Sequence, residues 1–243
     1  MCVASIAWNA HDRWRLVAIG NRDEFHVRPT APLARWEDGS EILAGKDLQA
    51  GGTWLGVSEG GGFALVTNYR VPEGPQPGRP SRGKLITDIL TGQKPSQMAE
   101  MNPFNLVHAK RDGAWFLTNH PEEVALPLPS GIHGLSNGGF ELPWPKTHQL
   151  NTALERWMEQ DAQDFEPLFD ALKTETPDPD EANPEDGPEP RYAPVFIRDP
   201  DYGTRCSTIV AVGFDGAGFI IERRFSPGGH MTGETRLEFT WTA

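Results

Sequence analysis

The second residue of this chain is a cysteine, directly behind the initiator Met1. If Met1 is removed, Cys2 carries both a thiol nucleophile and a free α-amine that can serve as its base. An α-amine titrates near pH ~8 and a free cysteine near ~8.5, so the two groups can exchange a proton at neutral pH. A small residue at position 2 generally permits this removal. The alternative is a buried and inert thiol, which is the more common role of a single cysteine.

A charged cluster, Asn21-Arg22-Asp23-Glu24, follows the next apolar stretch. Arg22 offers a fixed positive charge that favours a thiolate, and Asp23 can hold an α-amine by accepting its hydrogens. A hairpin between the two apolar stretches would bring this cluster close to Cys2. The same cluster is typical of a solvated turn whose ion pairs have no catalytic task. The distance between Cys2 and the cluster decides between the two interpretations.

Three further polar sites interrupt apolar strands: Thr67-Asn68, Ser136-Asn137 and Thr204-Arg205. Asparagine amides suit an oxyanion hole, where a preorganised N–H donor lowers an acyl-transfer barrier by ~3 to 4 kcal/mol. Asparagine at the end of a strand is equally an ordinary turn former. Asn68 and Asn137 are therefore candidates for the site, with both interpretations open.

The elements that must position these residues are mostly strands. Short apolar runs broken by turn residues predict two antiparallel hairpins near the start of the chain and further strands later. The predicted strands span residues 2–8, 14–21, 53–58, 63–68, 104–110, 115–119, 206–214, 219–224 and 236–241.

Helices are predicted in the middle of the chain, over 83–90 behind Ser81, over 147–160 and over 165–172, with a further helical turn from Ser96. Residues 176–191 are dense in Pro, Asp and Glu and predict a mobile surface loop. Strand-rich ends around a helical middle favour an α+β fold, with two sheets and helices packed outside them. We expect one domain over 1–243.

Composition excludes several classes of partner. The net charge of −12 argues against nucleic acid and anionic membranes, which bind clustered Lys and Arg. Two cysteines, Cys2 and Cys206, favour a reducing compartment. Charged residues interrupt the first apolar stretch, so neither a signal peptide nor a membrane span is predicted and a cytoplasmic location is expected. The seven histidines lack paired spacing, and no phosphate loop or dinucleotide motif occurs, so no metal or cofactor is predicted.

Several short motifs follow one another over almost the whole chain. They are Met1-Cys2, Gly20-Asn21-Arg22-Asp23-Glu24-Phe25 with Arg28-Pro29, Gly51-Gly52-Thr53-Trp54-Leu55-Gly56, Thr67-Asn68-Tyr69, Arg82-Gly83, Gly134-Leu135-Ser136-Asn137 with Pro143-Trp144, and Tyr202-Gly203-Thr204-Arg205 with Ser207-Thr208. Together they resemble the NRDE family, whose eukaryotic members are called transport and Golgi organisation proteins. So many ordered motifs make the resemblance specific.

The NRDE family is in turn similar to N-terminal nucleophile (Ntn) hydrolases of the choloylglycine hydrolase and penicillin V acylase kind. That resemblance implies an αββα four-layer sandwich of two antiparallel sheets, with helices outside. It also implies the catalytic residues Cys2, Arg22, Asp23, Asn68, Asn137 and Arg205. The remaining motif residues are expected to bind substrate, namely Asn21, Glu24, Thr53, Trp54, Tyr69 and Ser136.

The resemblance implies a role for each catalytic residue. Cys2 would be the nucleophile, and Arg22 and Asp23 the charged pair beside it, although Asn21 competes with Arg22 for one role. The two asparagines would stabilise the oxyanion and orient the amine, and the late arginine would complete the site.

Three functions are compatible with these residues. The first is a cysteine Ntn hydrolase that cleaves the C–N amide bond of a small apolar acyl compound through a Cys2 thioester. The second is a carrier or chaperone that binds haem or an acyl-CoA in the same cleft. The third is a trafficking or scaffold role of the kind linked to eukaryotic relatives, because a fold can outlive its ancestral activity.

Overall fold

A computed structural model describes residues 2–140, 144–160, 163–178 and 187–241. Its strands are β1 (Val3–Trp8), β2 (Trp14–Phe25), β3 (Thr30–Arg35), β4 (Ile42–Asp47), β5 (Leu55–Ser58), β6 (Gly62–Asn68), β7 (Phe104–Lys110), β8 (Gly113–Thr118), β9 (Val124–Pro127), β10 (Gly131–Leu135), β11 (Tyr202–Gly213), β12 (Ala217–Phe225) and β13 (Met231–Thr240). Its α-helices are α1 (Arg82–Leu90), α2 (Pro145–Glu159) and α3 (Glu166–Leu172). Short 3-10 turns lie at Met98–Glu100 and Pro190–Tyr192.

Within the described residues, the strands form two antiparallel sheets. The first sheet has the order β10-β1-β2-β11-β12-β13, and the second has the order β3-β4-β5-β6-β7-β8-β9. The predicted hairpins are confirmed, since β1 pairs with β2 and β5 with β6. The register of the first hairpin sets Val3 opposite Asn21, so the charged cluster does lie beside the start of β1.

Alternation of side chains along the strands separates three apolar layers. In β2, Leu16 and Ala18 face the second sheet, whereas Val17 and Ile19 face α2 and α3. Helix α1 covers the outer face of the second sheet, where Leu85, Ile86 and Ile89 pack against β4, β6 and β7. The layers therefore run helix, sheet, sheet, helix, which confirms the αββα sandwich.

Four strands were not predicted from the sequence: β3, β4, β9 and β10. Three of them are edge strands, where one face is exposed and the apolar alternation is weak. In β3 only Leu33 is buried, and the pairing with β4 is irregular around Pro32. Strand β4 was not predicted because its short apolar start is followed by a polar second half that contains Lys46. Such strands are recognisable only from their pairing.

Several element bounds differ from the predicted ones. Helix α2 begins at Pro145 and not at 147, because proline is favoured in the first helical turn. The predicted strand at 53–58 begins at Leu55. Residues 179–186 of the predicted acidic loop lie outside the described residues. Pro143 of the Pro143-Trp144 motif also lies outside them. At the loop's far end, the described residue Glu189 accepts two hydrogen bonds from Arg70, at 2.7 and 3.1 Å.

Among the helices of the described residues, none is both long and apolar enough to cross a membrane.

Candidate active site

The inward face of the first sheet changes from apolar to charged along β2. Leu16 and Ala18 belong to the core between the sheets, and the same face continues through Gly20 to Arg22 and Glu24. A Cβ on Gly20 would lie 3.1 Å from the Trp54 ring, so glycine lets that ring close the end of the core. Beyond Trp54 the sheets are separated by a cavity of about 680 Å³.

This cavity brings together most of the predicted site residues. Its walls come from the first sheet, from the second sheet and from the start of α1. The predicted residues that line it are Cys2, Arg22, Asp23, Glu24, Thr53, Trp54, Asn68 and Arg205. Residues far apart in the sequence therefore meet at one end of the sandwich.

Cys2 lies just before β1 and is 9 % exposed. Its backbone carbonyl accepts a hydrogen bond from Ser136 Oγ at 3.0 Å, and the carbonyl of Ser136 accepts one from Thr67 Oγ1 at 2.6 Å. Burial raises the pKa of the Cys2 thiol and the charge of Asp23 adds to the rise, while Arg22 and a hydrogen bond from the Asp23 backbone oppose it. The site therefore favours the neutral thiol, and reaction needs a base.

Arg22 presents its guanidinium to the cavity. Its Nη2 lies 3.6 Å from Glu24 Oε2 and 3.8 Å from Asp47 Oδ2, distances that are too long for strong hydrogen bonds. Its Nη1 is buried and has no hydrogen-bond partner among the residues that the structure describes. Arg22 therefore keeps a donor that a ligand can use.

Asp23 is buried on the other face of β2 near the cavity. Its Oδ1 accepts a hydrogen bond from Thr204 Oγ1 at 2.7 Å, and its carbonyl accepts one from Tyr202 OH at 3.0 Å. Burial raises the pKa of the Asp23 carboxyl, while the charge of Lys146, the Thr204 hydrogen bond and Arg22 lower it. These contacts fix the orientation of the carboxylate.

A smaller cavity of about 180 Å³ adjoins the first, and Asn68 lines both. Asn137 and Tyr69 line only the smaller one. The Asn137 side chain donates from Nδ2 to the Asn68 carbonyl at 2.6 Å, so it fixes the end of β6. Asn137 therefore contacts Asn68, a residue of the cavity that contains Cys2, but does not line that cavity itself.

Asn21, which was expected to bind substrate, does not line either cavity near Cys2. Its side chain points to the helical layer, where Nδ2 donates to Leu172 O at 2.7 Å and to Val195 O at 2.9 Å. Its Oδ1 accepts a hydrogen bond from Ser207 Oγ at 2.6 Å. The alternation of β2 sends Asn21 and Arg22 to opposite faces, so Arg22 is the one that faces the cavity. Ser136 likewise contacts the Cys2 backbone without lining the cavity.

The guanidinium of Arg205 lines the cavity but is engaged with the backbone. Its Nη1 donates to the carbonyls of Phe25, His26 and Arg28, at 2.9, 3.2 and 3.1 Å. These bonds hold the turn that follows β2. Thr53 is similarly engaged, because its Oγ1 donates to Leu55 O at 2.9 Å.

Two residues of the site were missed in the sequence. Lys146, in the first turn of α2, is 2 % exposed, and its Nζ donates to Tyr192 O at 3.4 Å. Burial lowers the pKa of Lys146, whereas the charges of Asp23 and Cys2 raise it. Nothing in the sequence around Lys146 distinguishes it from a surface lysine.

Arg82, the second missed residue, begins α1 and lines both cavities. Gly52 and Gly83 pack backbone against backbone beside it, and a Cβ on Gly52 would overlap the Gly83 carbonyl. The two glycines therefore let the start of α1 reach the cavity wall. The paired motifs at 51–56 and 82–83 were the signal that could have identified Arg82.

Comparison with known proteins shows the family of the chain. The family model described as Transport and Golgi organisation 2 matches residues 1–227. The chain belongs to this family. The Transport and Golgi organization protein 2 homolog of Homo sapiens is 35 % identical over 258 residues, covering 93 % of each chain. The homolog of Bos taurus is 35 % identical over 239 residues, covering 86 % of each.

Among solved structures, this member of the Transport and Golgi organisation 2 family is similar to a mutant C2A conjugated bile acid hydrolase from Clostridium perfringens. The TM-score is 0.52 at 8 % sequence identity, and the match covers 100 % of this chain and 98 % of the other. At this identity the likeness shows the fold alone, the sandwich of two antiparallel sheets with helices outside.

Proposed function

We propose that this protein is a cysteine Ntn-type hydrolase, which cleaves the C–N amide bond of a small acyl compound after Met1 has been removed. The observation that carries the proposal is the meeting of Cys2, Arg22, Asp23 and Asn68 at one cavity between the sheets. The similar fold of a hydrolase that was solved as a C2A mutant supports it further.

The proposed reaction has two steps that balance in atoms and protons. First, Cys2 Sγ attacks the amide carbon while its proton passes to the α-amine of the same residue. The C–N bond then breaks, and the leaving amine takes that proton. In the second step, water attacks the thioester carbon, the acid is released and the thiol re-forms. The raised pKa of Cys2 makes such a base necessary.

The surrounding residues have distinct roles in this proposal. Arg22 stabilises the developing negative charge on sulfur, and Asp23 holds the α-amine through its fixed carboxylate. Asn68 donates its amide N–H to the oxyanion. Asn137 acts through Asn68, whose carbonyl it binds, and Ser136 fixes the backbone of Cys2.

A second candidate is a carrier that binds an acyl compound, an acyl-CoA or haem without cleaving it. The observation that favours it is the burial of the Cys2 thiol, whose raised pKa disfavours the reactive thiolate. The carrier predicts saturable binding that survives replacement of Cys2.

The test is intact-mass analysis after incubation with activated acyl esters and amides. We expect an acyl adduct on the wild-type protein and turnover of at least one amide. Cys206 is a matched control, because it is also buried and lines the same cavity. The Cys206→Ala variant should keep the adduct, and Cys2→Ala should lose it. An adduct that persists in Cys2→Ala, or binding without any adduct, would reject the hydrolase.

A further inference from the structure

The large cavity is positively charged, although the whole chain has a net charge of −12. Its lining includes seven cationic and four acidic side chains. The cationic ones are Arg22, Arg28, Lys46, Arg79, Arg82, Arg205 and Arg224. A cleft lined by one sign of charge concentrates ligands of the other sign.

Three of the acidic side chains already have a cationic partner. Asp47 Oδ2 lies 2.7 Å from Arg28 Nη2, and Glu222 Oε1 lies 3.2 Å from Arg224 Nη1. Glu24 lies 3.6 Å from Arg22. The excess positive charge of the cavity therefore comes from the remaining cationic residues of its lining, namely Lys46, Arg79, Arg82 and Arg205.

Arg82 has the most available donors among these residues. In the part of the chain that the structure describes, its guanidinium makes one hydrogen bond, from Nη1 to Pro103 O at 3.1 Å, and no ion pair. Arg205, by contrast, donates to three backbone carbonyls. Arg82 also begins α1, whose first turn has no acidic residue and whose Ser81 makes no side-chain cap. The helix dipole adds to the positive potential there.

The smaller cavity has a different lining. Val71, Pro75 and Pro103 contribute apolar groups to it, together with the rings of Tyr69 and Tyr202. Its volume of about 180 Å³ holds roughly six heavy atoms, taking ~30 Å³ for each as for a water molecule. Asn68 and Arg82 stand between this small apolar cavity and the large charged one.

We propose that the ligand is an acylated amine whose amine half carries a carboxylate or phosphate, bound by the guanidinium of Arg82 in the large cavity. The acyl half lies in the small cavity, and the amide lies at Asn68. That this amide is the bond to be cleaved rests on the proposed function. Binding of the anionic group does not require cleavage.

The experiment measures binding by calorimetry to the Cys2→Ser variant, which cannot turn the ligand over through a thiol. The probes are N-butanoylglycine, N-butanoyl-2-aminoethyl phosphate and N-butanoylglycinamide. The first and third have the same shape and differ in charge. We expect both anions to bind about tenfold or more tightly than the glycinamide, since a charge-assisted bond contributes ~1.5–3 kcal/mol. The tighter of the two anions identifies the headgroup.

Substitutions assign the effect to Arg82. Arg82→Gln should abolish the preference for the anions, and Arg82→Lys should keep part of it. The matched control is Arg156→Gln, which removes the same charge from the last turn of α2, an exposed position. Equal binding of glycine and glycinamide conjugates, an unchanged preference in Arg82→Gln, or no binding of any probe would overturn the proposal.

Turnover by the wild-type protein separates this proposal from the hydrolase. A preference for anions without cleavage of any probe supports the anion site and rejects the hydrolase. Cleavage of the charged and the neutral conjugate at equal kcat/KM supports the hydrolase and rejects the anion site.

Discussion

Replacement of Asn21 by alanine should destabilise the protein without removing the reactivity of Cys2. The Asn21 side chain is 0 % exposed and makes three hydrogen bonds, two to the carbonyls of Leu172 and Val195 and one from Ser207. Each such bond contributes ~1 kcal/mol, so the free energy of unfolding should fall by ~3 kcal/mol. For a protein of this size that corresponds to a decrease in Tm of roughly 6–12 °C.

The assay combines urea denaturation with acylation of Cys2 in the folded state. Ser207→Ala is the graded control, because it removes only one of the three bonds and should cost ~1 kcal/mol. Acylation should proceed in Asn21→Ala at the wild-type rate well below its Tm. Unchanged stability together with a loss of acylation would contradict this prediction, because Asn21 would then act in the chemistry.

Further predictions concern the charge, packing and size of the site. Lys146→Met removes a positive charge that lowers the pKa of Asp23, so the acid limb of the pH–acylation profile should move to higher pH. Lys146→Arg keeps the charge and should restore the profile. A uniform loss of rate at every pH would instead indicate that Lys146 has only a structural role. Gly52→Ala should lower the free energy of unfolding in urea by ~1–3 kcal/mol, because its Cβ would overlap Gly83. Gly60→Ala should be near neutral, because a Cβ there would approach the nearest side-chain atom only to 3.9 Å. Acyl chains much longer than the roughly six heavy atoms that the small cavity holds should acylate Cys2 more slowly, and a rate that rises steadily with chain length would contradict this assignment.

The sequence alone was sufficient for the hairpins that carry the site. Cys2 directly precedes a short apolar run, the cluster after Gly20 ends the next apolar run, and a short turn joins the two strands, so their proximity followed from local pattern. The αββα arrangement came from the family resemblance. Edge strands such as β3 and β9 could not be found, because partial exposure leaves them without a clear pattern.

The direction of individual side chains at the site was harder to predict. Asn21 and Arg22 are adjacent in the sequence and so face opposite sides of β2, but only the position of β2 in the sheet decides that Arg22 is the one facing the cavity. Lys146 becomes part of the site through the packing of α2 on β1, a tertiary contact with no local signal. The apolar acyl compound that was expected as ligand accounts for only part of the site, since the larger cavity is lined by arginines.

Cys2 should react only when it is the first residue of the chain. This prediction is tested most directly in one sample that contains both the trimmed protein and the form that retains Met1, treated with a single activated acyl ester and analysed by intact-mass spectrometry. We expect the acyl mass on the trimmed form alone. Equal acylation of both forms would contradict it, because the α-amine of Cys2 would then have no part in the reaction.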